Sequence, residues 1–206
     1  METKRIILSG GGTGGHIYPA ISIANEILFR DKNTEILFVG AKNKMEMNIV
    51  PKYGFSILGL WISGINRNNF LKNILVPVKL IISVLQSLLI IKRFSPNVVI
   101  GTGGYASGPI LYVANLLKIP TLIQEQNSYP GITNKLLSKK VNTVCVAYNY
   151  LDKYFPKDKI KLTGNPVRSS ITENSDSFEK GMEYFGLDTN KKTMLVIGGS
   201  LGSREI

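Results

Sequence analysis

The sequence predicts an α/β protein built on a parallel sheet with helices on both faces. Three observations carry that expectation. Short apolar segments alternate with stretches of helical periodicity, the pattern of repeated βα units. Val98-Val99-Ile100 and Met194-Leu195-Val196-Ile197 are apolar at every position, as strands covered on both faces must be. Finally, an apolar segment breaks into a glycine loop three times. Ile6-Ile7-Leu8 leads into Gly10 to Gly15, Val98-Val99-Ile100 into Gly101-Thr102-Gly103-Gly104, and Leu195-Val196-Ile197 into Gly198-Gly199-Ser200-Leu201-Gly202.

In chain order, strands are expected near 4–9, 35–39, 55–60, 97–101, 120–124, 143–147, 159–163 and 193–198. Helices are expected near 17–30, 44–52, 70–93, 106–117, 131–139 and 177–185. Ile17, Ile21, Ala24 and Leu28 fall on one face of the first helix. Pro109 suits the first turn of the helix after the second loop. Gly164-Asn165-Pro166 punctuates the chain, and the segment from Ser169 to Ser177 is polar. A domain boundary is therefore expected there, giving a Rossmann-like unit at 1–165. The third glycine loop then opens a second such unit at 166–206, incomplete at Ile206, so the chain reads as a fragment.

The first loop carries the chemistry. A strand that ends in glycines and re-enters as a helix leaves backbone N–H groups at the positive end of the helix dipole, which is an anion site. A plain βα turn needs one or two glycines, whereas five of the six residues from Gly10 to Gly15 are glycine. Gly10, Gly12 and Gly15 satisfy G-x-G-x-x-G, but the second strand ends in Gly40-Ala41-Lys42, without the acid that a dinucleotide site places on the ribose. A nucleotide-triphosphate loop needs Gly-Lys followed by Ser or Thr, and this loop closes on Gly15-His16-Ile17.

Composition bounds the setting. The chain has 206 residues and a net charge of +11, which fits nucleic acid, an anionic membrane surface or phosphorylated substrates; a lysine- and asparagine-rich composition is the plainer explanation. Cys145 is the single cysteine, so no internal disulfide forms and a reducing compartment fits. Met1 to Arg5 lead straight into the first strand, and no signal peptide is expected. One histidine and one distant cysteine make a zinc site unexpected, and no metal is called for. Leu80 to Ile91 is apolar but short of the about 20 residues that span a bilayer. It reads as a sheet-covering helix. Its front part (Leu71, Ile74, Leu75 and Val78 beside Arg67, Lys72 and Lys79) reads alternatively as resting on lipid.

Five motifs occur in order: Gly-Gly-Thr-Gly-Gly-His at 11–16, Gly-Gly-Tyr-Ala-Ser-Gly-Pro at 103–109, Glu-Gln-Asn at 125–127, Gly-Asn-Pro-Val-Arg at 164–168 and Gly-Gly-Ser-Leu-Gly at 198–202. Together they resemble the MurG family of glycosyltransferases, as do Ile-Ser-Gly at 62–64 and Met45-Glu46 followed by Val50-Pro51. The resemblance implies the two-domain GT-B architecture, with the second domain truncated here. It implies inverting transfer of N-acetylglucosamine from UDP-N-acetylglucosamine to the muramoyl 4-hydroxyl of lipid I, forming lipid II. It also implies a peripheral protein on the cytoplasmic face of the bacterial inner membrane, using no cofactor and no nucleic acid, and touching anionic lipid through the segment near 67–82. The truncated chain is expected to be inactive by itself.

The site residues follow from the same resemblance. His16, the sole histidine, becomes a candidate base; the helix dipole favours the neutral imidazole a base requires, and a loop-capping role is the alternative. Glu125 is a candidate for acceptor or proton handling, or else a structural carboxylate. Thr13, Gly14, Gly15, Asn127, Arg168 and Ser200 match donor-binding positions, although Arg168 also suits a surface ion pair and Asn127 a turn. Gly103, Gly104, Tyr105 and Ser107 would bind the lipid I pyrophosphate, with Tyr105 alternatively a packed aromatic. Two departures stand out: Gln124 replaces a common histidine, and Leu201 a common glutamine. The alternative from another class is a non-catalytic phosphate- or dinucleotide-binding module.

Overall fold

In a computed structural model, residues 3–64, 73–168 and 178–198 are described. The chain divides into two compact units, Met1–Pro166 and Val167–Ile206.

The first unit is a seven-stranded parallel sheet. Its strands are β1 (Arg5–Gly10), β2 (Glu35–Ala41), β3 (Ser56–Leu60), β4 (Val98–Gly103), β5 (Thr121–Glu125), β6 (Thr143–Val146) and β7 (Ile160–Leu162), in the order β3-β2-β1-β4-β5-β6-β7. Among the described residues, five α-helices connect them: α1 (Gly14–Arg30), α2 (Glu46–Ile49), α3 (Val76–Phe94), α4 (Ser107–Leu116) and α5 (Ile132–Ser138). The order runs outward in both directions from β1 and β4, so these two neighbours form the topological switch point.

Side chains alternate across a strand, so the central strands feed two cores. Ile6, Leu8, Phe38 and Ile100 pack with Ile17, Ala20, Ile21 and Ala24 of α1 on one face. Ile7, Val39 and Val99 pack with Ile91 of α3, Ile110 and Leu111 of α4 and Leu137 of α5 on the other. Helices cover both faces, as the uniformly apolar central strands require.

The elements depart from expectation in three places. The helix expected at 44–52 is only one turn, α2, continued by a 3-10 turn Val50–Tyr53, because Pro51 fits an N-terminal turn position but supplies no N–H for a longer α-helix. The helix expected from 70 starts at Val76, with Pro77 in its first turn; residues 65–72 lie outside the described residues. The strand expected at 193–198 does not form through 198. Met194, Leu195, Val196 and Ile197 are exposed, and the second unit shows one helix, α6 (Phe178–Tyr184), and no strand for them to pair with among its described residues. An isolated extended segment has no ladder to complete, however apolar it is.

Candidate functional site at the two glycine loops

The loops after β1 and β4 leave adjacent strands at the switch point and touch. The β1–β4 register shifts between Ser9 and Gly10, so that Gly10 pairs with Gly103, and Gly11 N donates to Gly103 O at 3.4 Å. Gly104 has φ +82, and a Cβ there would run into the carbonyl oxygen of Gly11. Only glycine allows this approach.

The first loop turns directly into α1. Thr13 is the N-cap, with an extended backbone and no side-chain capping bond, and its carbonyl accepts from His16 N and Ile17 N. The amides of Gly14 and Gly15 fall in the first turn, where no carbonyl of the helix can reach them, and no acidic residue occupies that turn. Gly15 is exposed. This end of the loop suits an anion.

His16 is clamped to the second loop. Its Nδ1 lies 2.9 Å from Thr102 O, and Thr102 Oγ1 donates to His16 O at 2.7 Å. A carbonyl only accepts, so Nδ1 carries the proton and the neutral ring keeps its lone pair on Nε2. The same Thr102 oxygen accepts from Gln126 Nε2 at 2.7 Å, and that amide also donates to Gln124 Oε1 at 2.7 Å. Gln124, which replaces a common histidine in the resemblance above, thus joins His16 through one side chain and one carbonyl.

Glu125 lies at the end of β5, buried at 1% exposure. Its Oε1 accepts from Asn127 N at 3.1 Å and Asn127 Nδ2 at 2.9 Å, and its Oε2 from Gly131 N at 3.1 Å and Asn134 Nδ2 at 2.9 Å. Charge-assisted bonds of this kind contribute about 1.5–3 kcal/mol each. These contacts fix the β5–α5 turn and orient exposed Asn127.

In the second loop, Ser107 is fully buried and donates from Oγ to Gly104 O at 2.8 Å, so its hydroxyl shapes the loop. Tyr105 is half-buried, and a Cβ on Gly12 or Gly64 would stand 3.3 or 3.0 Å from its ring. Burial, and secondarily the charge of Glu46, push its phenol pKa above the usual tyrosine value. Thr13, Gly14, Gly15, His16, Gly103, Gly104 and Tyr105 are therefore brought together, with Glu125 and Asn127 linked to them through Gln126. Arg168 belongs to the second unit, and Ser200 lies outside the described residues.

Sequence reasoning gave no role to Thr102, Gln126 or Glu46. Glu46 is wholly buried, its Oε1 accepting from Ala41 N at 2.9 Å and its Oε2 from Gly12 N at 3.1 Å. The available signal was a lone acid closely following a strand that ends in Gly40-Ala41. Among the described residues, no group of three His, Cys, Asp or Glu side chains could hold a metal ion.

Residues 6–146 match the model of the glycosyltransferase family 28 N-terminal domain. The chain belongs to this family. Among family 28 relatives, it is 59% identical over 206 residues to the UDP-N-acetylglucosamine--N-acetylmuramyl-(pentapeptide) pyrophosphoryl-undecaprenol N-acetylglucosamine transferase of Flavobacterium psychrophilum, covering 100% of this chain and 56% of that one. It is 56% identical over 205 residues to the enzyme of the same name from Christiangramia forsetii, again covering 100% of this chain and 56% of the relative. Among solved structures, MurG of Acinetobacter baumannii superposes with a TM-score of 0.67 at 28% identity, over 84% of this chain and 50% of that one. The family 28 chain thus spans about half the length of the relatives it matches.

Proposed function

We propose that this chain is the acceptor-side part of a glycosyltransferase that moves N-acetylglucosamine from UDP-N-acetylglucosamine to lipid I, forming lipid II. Family 28 membership and the names of the relatives support the reading. The observation that carries it is the pair of abutting glycine loops at the switch point, with His16 held between them by Thr102.

In this reading residues 1–165 bind the acceptor and residues 166–206 open the UDP-sugar domain. Nε2 of His16 takes the proton of the muramoyl 4-hydroxyl as its oxygen attacks C1 of the donor sugar; UDP leaves, and the configuration at that carbon inverts. Thr13, Gly14, Gly15 and Asn127 are the donor-contacting residues of the first unit in this reading; Arg168 and Ser200 match donor-binding positions by resemblance alone. Amides at the first turn of α1 offset the charge developing on the leaving diphosphate. Gly103, Gly104 and Tyr105 receive the acceptor pyrophosphate. Ser107 and Glu125 act through the loops they hold, consistent with their burial and internal partners.

The reading extends to the membrane. On α3, Ile81, Leu85 and Leu89 form an exposed stripe that continues to Ile74 and Val78, with Lys79, Lys92 and Arg93 on the same helix or its end. No helix among the described residues is long and apolar enough to cross a bilayer. An apolar face flanked by cations fits the surface of an anionic bilayer, which supports the reading of a peripheral protein on the cytoplasmic face of the inner membrane. Binding to anionic vesicles that weakens with salt, and is lost on Leu85→Glu, tests this.

Transfer of radiolabel from UDP-N-acetylglucosamine to lipid I by the complete polypeptide containing these residues tests the activity. Donor turnover without labelled lipid II would refute it.

A further inference from the structure

Glu46 sits where a dinucleotide fold would place part of its ligand. In such a fold the pyrophosphate rests on amides of the first glycine loop, and an acid at the end of the second strand faces the ribose. Here the acid arrives from α2 rather than from the strand itself, and it turns into the loop. Glu46 Oε2 accepts from Gly12 N at 3.1 Å, while Oε1 accepts from Ala41 N at 2.9 Å at the end of β2. The side chain is fully enclosed.

The backbone is fitted around this carboxylate. A Cβ on Gly11 would collide with it, and a Cβ on Gly40 would lie 2.6 Å from Glu46 Cγ. The Tyr105 ring lies against Gly12, 3.3 Å from where a Cβ would stand. Burial, and secondarily the charge of Glu46, raise the Tyr105 pKa.

We propose that Glu46 is an internal anion that occupies the Gly12 amide, bars phosphate from the front of the glycine loop, and confines phosphate ligands to its Gly14–Gly15 end. Gly12 has no second N–H to offer, and a phosphate placed over it meets the like charge of the enclosed Glu46 carboxylate. Glu46 is in this sense a specificity-determining residue: it explains, in physical terms, why a loop that satisfies G-x-G-x-x-G is not a dinucleotide cradle. The inference goes beyond the transferase reading and does not need it, since it concerns any phosphate that approaches the loop.

Titration of the isotope-labelled chain with inorganic pyrophosphate, followed by amide NMR, tests it. In the unmodified chain the Gly12 amide is expected to exchange slowly with solvent and to stay unmoved through the titration. In Glu46→Gln the same amide is expected to lose protection and shift saturably, with pyrophosphate binding at least about tenfold tighter. Glu46→Asp, which keeps the charge, is expected to keep pyrophosphate off the Gly12 amide. A Gly12 amide that shifts saturably in the unmodified chain overturns the proposal, as does a folded Glu46→Gln protein with unchanged affinity and protection. Should Glu46→Gln not fold, the response of Gly12 in the unmodified chain decides the matter by itself.

Discussion

The imidazole of His16 is bonded to the carbonyl oxygen of Thr102, 86 residues further along the chain, with Nδ1 and oxygen 2.9 Å apart. This contact fixes the tautomer and ties together the loops of β1 and β4. It converts a histidine at a helix start into a group with a defined free nitrogen.

His16→Gln is therefore expected to lower kcat of the complete enzyme by about 10²–10⁴, the usual contribution of a general base. KM for UDP-N-acetylglucosamine should change only a few-fold, because the loop amides proposed to face the donor remain. Gln126→Leu leaves the His16–Thr102 bond in place and should cost much less. Steady-state kinetics on both variants check this; wild-type turnover by His16→Gln would remove the residue from catalysis.

Glu125→Ala is expected to destabilise the first unit by about 3 kcal/mol or more, since it strands donors on Asn127, Gly131 and Asn134 that are satisfied by one carboxylate. Glu125→Gln should also be destabilising, because its amide NH₂ faces other donors. Urea unfolding with an unchanged m-value is the measurement. Equal stability with lost activity would instead argue for a direct chemical role.

The fold was legible because its signals are local and repeated. Ile6 to Leu8 and Val98 to Ile100 announce buried parallel strands, and both helix-covered faces follow from them. The site was legible as motifs but not as contacts. His16 and the second loop could each be named, yet their bond through Thr102 depends on strand order, which no short motif encodes. Glu46 was hidden for the same reason: its partners at Ala41 and Gly12 lie on two different strands' ends. The expectation at 193–198 failed because apolar content predicts a strand only where neighbouring strands exist to receive it.

Gly104→Ala is expected to cost at least about 2 kcal/mol, combining a left-handed backbone with a collision against the Gly11 carbonyl. Gly131→Ala is a matched control, since a Cβ there meets nothing within 4 Å. Thermal unfolding of the two variants side by side checks the contrast; equal losses would contradict the close docking of the loops.

Tyr105 gives a pH signature. Its phenol pKa is raised in the folded state by burial and then by Glu46, so the neutral form is favoured by folding. That stability is fully present below the ordinary tyrosine pKa of about 10 and is lost as pH rises from there through the folded value. Tyr105→Phe should flatten this part of the stability curve and delete the late step in an ultraviolet difference titration. An identical alkaline profile in the Phe variant would contradict the assignment.

The most direct test of the central claim is transfer of labelled N-acetylglucosamine to lipid I by the complete polypeptide, compared between wild type and His16→Gln. The account predicts labelled lipid II from the wild type and a loss of about 10² or more in the variant. Absence of transfer by a folded wild-type enzyme, or equal transfer by both proteins, would contradict it.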